Sequence, residues 1–488
     1  VIAVGLGRLA ETVGAELTGA GPDAEVTSVV VDSRQAQPGS LFVALPGEHV
    51  DGHDFVARAA QAGAVAALTT RPVPGVRCLV VPDAQQALGR VGRLAVDLAR
   101  PQGLRVTGIT GSQGKTSTKD LLAQVLETQA PTVAPVASFN NEIGVPLTAC
   151  RVGPDTRFLV SEMGARGIGH IRYLCELTPP DVGMVLNVGF AHLGMFGSRE
   201  AIAQAKGELA EAVPGDGVAV LNLGDPLVAA MHTRTRAAVV GFLEPDAEPD
   251  AAALRVAARL VSAVDPTADD AGCWSFGLRD SGTGETHPVR LRLLGAHQIG
   301  NALAAAAAAT ALGLAPAAVA EALSAAGPRS RWRMETHRRA DGLLVVNDAY
   351  NANPGSMSAA LRTLAGLGAS RRAAGQPTRT VAVLGEMLEL GDSAADEHAA
   401  VGRLAAELGI DRLLTVGDHA DVIREGARAA GLGGEETAVF DTVDALREAL
   451  LAEVASTDVV LVKASRAIGL ETVADALLGD GPEQGSSA

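Results

Sequence analysis

One segment near residue 110 restricts the possible folds more than any other. Arg105–Ile109 has the length and composition of a short buried strand, and Gly111-Ser112-Gln113-Gly114-Lys115-Thr116 follows directly. Ser117–Thr128 then reads as a helix. A strand that turns through glycines into a helix gathers backbone N–H groups and the positive helix end at one point, which suits a phosphate. Repeated strand–helix alternation also implies a mainly parallel sheet. Lys115 is placed to reach terminal phosphates and the Thr116 hydroxyl to hold Mg²⁺. The spacing departs from the usual P-loop: Gly108 is one residue too far from Gly114, and Gly111 is too near.

The same alternation extends over most of the chain. Phe158–Ser161, Val182–Asn187 and Gly217–Asn222 read as further central strands. Residues 245–290 are first acidic and Pro/Ala-rich. The strand-like pieces Leu254–Val264, Cys273–Leu278 and Val289–Leu294 then suggest an antiparallel extension, closed by helices at Ile299–Leu312 and Pro316–Ala325. Before the loop, strands Val26–Asp32, Ser40–Leu45, Val65–Thr69 and Cys78–Val81 alternate with helices Asp54–Gln61 and Ala84–Arg100. After a linker at residues 327–331 come strands Leu343–Asn347, Thr380–Leu384, Arg412–Val416 and Val459–Lys463. A chain of 488 residues is too long for one core. The expected fold is α/β with three domains, at 1–100, 101–327 and 328–480: a central P-loop-type sheet domain, a Rossmann-like C-terminal domain and a smaller N-terminal one. The polar stretch 481–488 reads as a disordered tail.

Charge and composition narrow the partners. A net charge of −16 argues against nucleic acid, which needs a basic face. Four scattered cysteines (Cys78, Cys150, Cys175, Cys273) show neither metal spacing nor a disulfide framework, so a reducing cytoplasm is expected. The apolar runs are too short to span a membrane, and no basic-then-apolar leader opens the chain. Of 40 basic Lys and Arg residues only Lys115, Lys119, Lys206 and Lys463 are lysines. Where arginine fills every generic positive site, a surviving lysine is a candidate for work that needs a point charge or a neutral amine.

Two more residues stand just past strands, where α/β ligand sites gather. Glu162 follows Phe158–Ser161 and suits a metal. His192 follows Asn187-Val188-Gly189; a lone His is more often packed or on the surface, but its sheet edge is the same one.

Together these strings resemble the Mur ligases, ATP-dependent amide-forming enzymes of peptidoglycan precursor synthesis. The central match lies in Gly111–Lys119, Ser161-Glu162-Met163-Gly164-Ala165, Asn187–His192 and Lys206-Gly207-Glu208. The family's glycine loop has the spacing seen here. The resemblance implies ATP contacts from Gly111, Ser112, Gln113, Gly114, Lys115, Thr116 and Ser117, with Asn301 on the adenine side. It implies two Mg²⁺, one on Thr116 and Glu162 and a second served by His192, with a carbamate on Lys206. It assigns Arg331 to the γ-phosphate and Asp348 to the ribose side. Ser33, Arg34 and Gly47, with Asn140 and Asn141, would contact the uridine-nucleotide substrate.

In the third block, Asn347–Met357, Gly385-Glu386-Met387-Leu388-Glu389-Leu390-Gly391 and Lys463-Ala464-Ser465-Arg466 resemble the members that add D-alanyl-D-alanine. Asn351, Asn353, Lys463 and Arg466 would then serve substrate. The implied reaction joins D-Ala-D-Ala to UDP-N-acetylmuramoyl-tripeptide (UDP-MurNAc-tripeptide) through an acyl phosphate, in a monomer. Two neighbouring activities stay open, UDP-MurNAc-tripeptide synthetase and folylpolyglutamate synthetase. A nucleotide-binding scaffold without turnover is the reading from another class.

Overall fold

Among the described residues, nine strands pair in one central sheet, with the glycine-loop strand third from one edge. The structure, a computed structural model, describes residues 2–19, 24–47, 50–189 and 193–479. The order runs Thr132–Val133, Phe158–Glu162, Arg105–Thr110, Val182–Val185, Val218–Asn222, Ala238–Leu243, Arg259–Ala268, Cys273–Asp280 and Thr286–Leu294. Pairing is parallel as far as Arg259–Ala268 and antiparallel beyond it. The extension expected after residue 245 is therefore present, but its start differs. Asp250 accepts bonds from the amides of Ala252 and Ala253 and starts a helix, Ala251–Val256, so the strand begins only at Arg259.

Register decides what lies beside the loop. Glu162 is level with Ile109, and Val185 with Thr110, so both neighbouring strands end where the glycines begin. The helix after the loop spans Lys115–Glu127 and buries Leu121, Leu122, Val125 and Leu126. It packs on His297–Ala311, whose residues Ala302–Ala309 are all fully buried. A helix that is apolar all round belongs in a core. Small alanine side chains let the two helices approach with little aromatic bulk between them.

A second sheet of six strands runs Glu335–Arg338, Leu344–Asn347, Val459–Lys463, Thr380–Gly385, Arg412–Val416 and Thr437–Phe440. Every pairing in it is parallel except the first. The N-terminal sheet orders Glu16–Thr18, Cys78–Val80, Ala66–Thr69, Ser40–Val43 and Ser28–Val30. No helix among the described residues is long and apolar enough to cross a membrane. The four cysteines are free thiols, three of them buried. His192 and the 481–488 tail lie outside the described residues.

Candidate active site

Gly114 sits at φ +80°, and a Cβ there would run into Asn301 Oδ1, so conformation and space both demand glycine. The loop is braced from the next strand. Asn187 Oδ1 accepts from Gln113 N (3.0 Å), its Nδ2 donates to Gln113 O (3.2 Å), and its carbonyl accepts from Ser112 N (3.2 Å). Ser112 Oγ accepts from Gly189 N at 2.9 Å. Asn301 accepts from Thr118 Oγ1 (3.2 Å) and donates to Gln298 (2.9 Å), tying the loop's helix to His297–Ala311.

Glu162 is buried, and Asn140 Nδ2 holds its Oε1 at 2.9 Å. Thr116 Oγ1 lies 3.4 Å from the same oxygen and 2.9 Å from Ser138 Oγ. Glu162 Oε2 is buried with no hydrogen-bond partner. An unpaired carboxylate oxygen beside a threonine hydroxyl is a donor set suited to a hard divalent cation, so Thr116 and Glu162 fit Mg²⁺. Lys115 Nζ donates to Gly111 O at 2.7 Å. Burial lowers the pKa of this ammonium, the Glu162 charge opposes the shift, and Arg333 adds to it.

These groups line a cavity of about 520 Å³ whose opposite wall comes from the six-stranded sheet. Ser112, Gln113, Gly114, Lys115, Thr116, Ser117, Asn140, Asn141, Glu162, Asn301, Asp348, Asn351, Asn353, Lys463 and Arg466 all reach it. Arg331 does not. Trp332 and Met334 adopt positive φ (58° and 51°), and this kinked backbone sends alternate arginines to opposite sides. Arg331 is exposed, 5.3 Å from the Trp332 ring, whereas Arg333 lies over Tyr350 (4.1 Å). Arg333 Nη2 is 3.4 Å from Thr116 Oγ1 and 3.3 Å from Ser138 Oγ. The cation that crosses to the glycine loop is thus Arg333, two residues beyond the one expected from sequence.

Asp348 and Lys463 serve each other. Lys463 Nζ lies 2.6 Å from Asp348 Oδ2 and donates to Asn351 O at 2.8 Å; Asp348 Oδ1 accepts from Met334 N at 3.0 Å. Burial lowers the Lys463 pKa while Asp348 opposes the shift. Removing one partner would strand a buried charge. Lys463→Met should cost about 3–5 kcal/mol of stability in a denaturant titration. A cost within experimental error would mean that the pair is solvated and Lys463 free to serve substrate.

Lys206, on the helix Arg199–Ala212, is buried, and its Nζ makes no hydrogen bond or ion pair with another described residue. Its pKa is held well below the ordinary amine value by burial first, then by the Lys115 charge. Nearby Glu208 is not its partner. Glu208 accepts from Gly169 N (2.6 Å) and Arg172 N (3.0 Å), capping the helix His170–Leu177.

Several expected substrate contacts are spent within the protein. Asn141 Oδ1 accepts from Ile143 N and Gly144 N, and Asn353 caps Pro354–Ala373 in a reciprocal box with Ser356. Arg466 stacks on Trp332 at 4.3 Å and pairs with Glu471. Ser33, Arg34 and Gly47 do not line this cavity; Arg34 pairs with Asp32, and Gly47 N donates to Val50 O. Ser138, Asn187 and Arg333 carry site geometry that the glycine-loop pattern alone does not signal.

A phosphate loop faced across one cavity by a cation from a second α/β sheet suits phosphoryl transfer sheltered from water, and the ATP-dependent ligases are one class that needs such a site. The chain matches the Mur ligase middle domain over residues 109–309, the Mur ligase glutamate ligase domain over 332–466 and the Mur ligase family catalytic domain over 25–93. It belongs to the Mur ligase family. A UDP-N-acetylmuramoyl-tripeptide–D-alanyl-D-alanine ligase from Mycobacterium leprae is 42% identical over 97% of this chain and 98% of its own length. A crystal structure of MurF from Acinetobacter baumannii superposes with a TM-score of 0.84 at 30% identity, covering 98% of this chain and 99% of that one. MurF ligase from Thermotoga maritima in complex with ADP gives 0.76 at 26% identity, over 93% and 97%.

Proposed function

We propose that this protein joins D-alanyl-D-alanine to UDP-MurNAc-tripeptide at the expense of ATP, giving the UDP-MurNAc-pentapeptide of peptidoglycan precursor synthesis. The observation that carries this reading is Arg333 reaching from the third-domain wall to Thr116 across one cavity. The relatives named for this reaction, alike over nearly the whole chain, support the choice of substrates. The five-, nine- and six-stranded sheets support domains at 1–100, 101–327 and 328–480.

The tripeptide's terminal carboxylate attacks the γ-phosphorus of ATP, forming an acyl phosphate and releasing ADP. The dipeptide amine then adds to the acyl carbon, and phosphate leaves from the tetrahedral intermediate. Backbone N–H groups of Gly111–Lys115 bind the polyphosphate, and Lys115 turns from Gly111 O to the transferred phosphoryl. Arg333 adds a second cation from the opposite wall. Asn187 keeps the loop in its binding shape, and Asn140 orients Glu162. Thr116 and Glu162 would hold one Mg²⁺, and Lys206 as a carbamate, with His192, would serve a second; bound there, the metals neutralise phosphate charge. A depressed amine pKa favours the carbamate, because R–NH₂ adds CO₂ to give R–NH–COO⁻ and a proton. The product would also turn the Lys206–Lys115 repulsion into attraction.

The deciding experiment supplies ATP with one matched donor and acceptor at a time: UDP-MurNAc-tripeptide with D-Ala-D-Ala, UDP-MurNAc-dipeptide with diaminopimelate or lysine, or a folate with glutamate. ADP release should depend on D-Ala-D-Ala. Release driven instead by diaminopimelate, lysine or glutamate would move the chain to a neighbouring activity, and release with no acceptor dependence would leave no ligase.

A further inference from the structure

The segment Glu386–Gly391 follows the strand Thr380–Gly385 and is held from three sides. Ser465 N donates to Glu386 O (3.0 Å), and Leu388 N donates to Ser465 Oγ (2.9 Å). Met387 N donates to His398 Nε2 at 2.9 Å. From the central domain, Gly194 N donates to Glu389 O at 3.2 Å. The crossing is close: a Cβ on Gly194 would stand 2.7 Å from Gly391 N. Glu389 sits at φ +66°, a conformation that a non-glycine residue keeps only where its surroundings enforce it. Leu388 and Glu389 line the cavity.

His398 has no exposed surface, and both ring nitrogens are used. Nδ1 is 2.6 Å from Ala394 O and so must donate; Nε2 faces the Met387 N–H and so must accept. Only the neutral ring with its proton on Nδ1 satisfies both. The ring stacks on His419 with centroids 4.4 Å apart, and His419 Nδ1 lies 2.6 Å from Glu386 Oε1. His419 and Glu386 are the titratable groups facing it.

We propose that His398 is a positioning residue, whose neutral ring accepts from Met387 and holds the 386–391 loop against Gly194, so shaping the part of the cavity walled by Leu388 and Glu389, where we place the dipeptide acceptor. The proposal rests on the ligase reading for its effect on catalysis, and on geometry alone for its effect on the loop. Burial holds the His398 pKa below the ordinary histidine value, the Ala394 bond opposes the shift, His419 adds to it, and Glu386 opposes it. The tether is therefore intact above the depressed pKa and lost as pH falls through it.

The test compares full-length wild type, His398→Leu and His398→Gln by steady-state kinetics and by hydrogen exchange of the 386–391 loop. Leucine leaves the Met387 N–H unpaired, and kcat/KM for D-Ala-D-Ala should drop roughly tenfold or more while ADP affinity holds. Glutamine offers a permanent acceptor and should recover most of that loss. Loop protection in wild type should fall as pH drops below the ordinary histidine range and His398 becomes charged, while protection of the strand Val459–Lys463 holds. Wild-type dipeptide kinetics in the leucine variant, or equal damage from glutamine, would overturn the proposal. If the leucine variant does not fold, the wild-type exchange profile decides, and a pH-independent loop overturns it. A wild type without ligase activity defeats the functional reading and leaves the loop result standing.

Discussion

Lys206→Arg should yield a folded protein with turnover reduced on the order of 100-fold or more. The expectation comes from what an arginine cannot do. A buried amine with a depressed pKa spends part of its time neutral and can add CO₂, whereas a guanidinium stays charged and cannot. The substitution would also leave a fixed cation in a buried site where the Lys115 charge already opposes one. Lys206→Ala should be equally inactive, but a short carboxylic acid in the buffer should restore part of the activity by standing where the proposed carbamate would stand. Stripping CO₂ should slow wild type, and bicarbonate should reverse the loss. Wild-type turnover by the arginine variant would falsify the carbamate, and turnover without chemical rescue in the alanine variant would leave only a packing role.

Lys115→Ala should abolish turnover with little change in thermal midpoint. Its ammonium ends on a loop carbonyl at the cavity wall, so no core contact is lost with it. Losing a preorganised cation at the transferred phosphoryl should cost on the order of 100-fold or more, chiefly in kcat. Arg333→Ala makes a useful comparison, because that cation reaches Thr116 from the facing wall of the cavity. If Lys115→Ala changed KM for ATP alone, its role would be ground-state binding and the transition-state assignment would fail.

How much could be read before the fold was known depended on how local each signal was. The glycine loop, the end of the Phe158–Glu162 strand and the parallel central sheet follow from short windows, in which buried strands are nearly all apolar and glycines mark the turn. Glu335–Arg338 carries no such signal. It is an edge strand of four polar or charged residues, paired on one side only. The strand expected to start at Leu254 was misplaced because Asp250 caps a helical turn through its side chain, a choice that apolar periodicity does not report. Arg331 and Arg333 cannot be told apart by charge or spacing, since the positive φ at Trp332 and Met334 decides which one turns inward. The Asp348–Lys463 pair joins residues more than a hundred positions apart, and only the neighbouring parallel strands Leu344–Asn347 and Val459–Lys463 bring them together.

The placement of the four lysines has a consequence for anyone handling this protein. Lys119 and Lys206 are buried, and Lys115 and the almost fully buried Lys463, ion-paired to Asp348, line the cavity. An acylating reagent or amine cross-linker therefore meets no lysine on the outer surface. Apart from the chain's α-amine, the most accessible amine is Lys115, on the cavity wall where we propose the nucleotide binds. Such chemistry, usually a blunt label for surfaces, becomes for this molecule a titrant of cavity occupancy. Stoichiometry near one, suppressed by nucleotide, would count working sites directly.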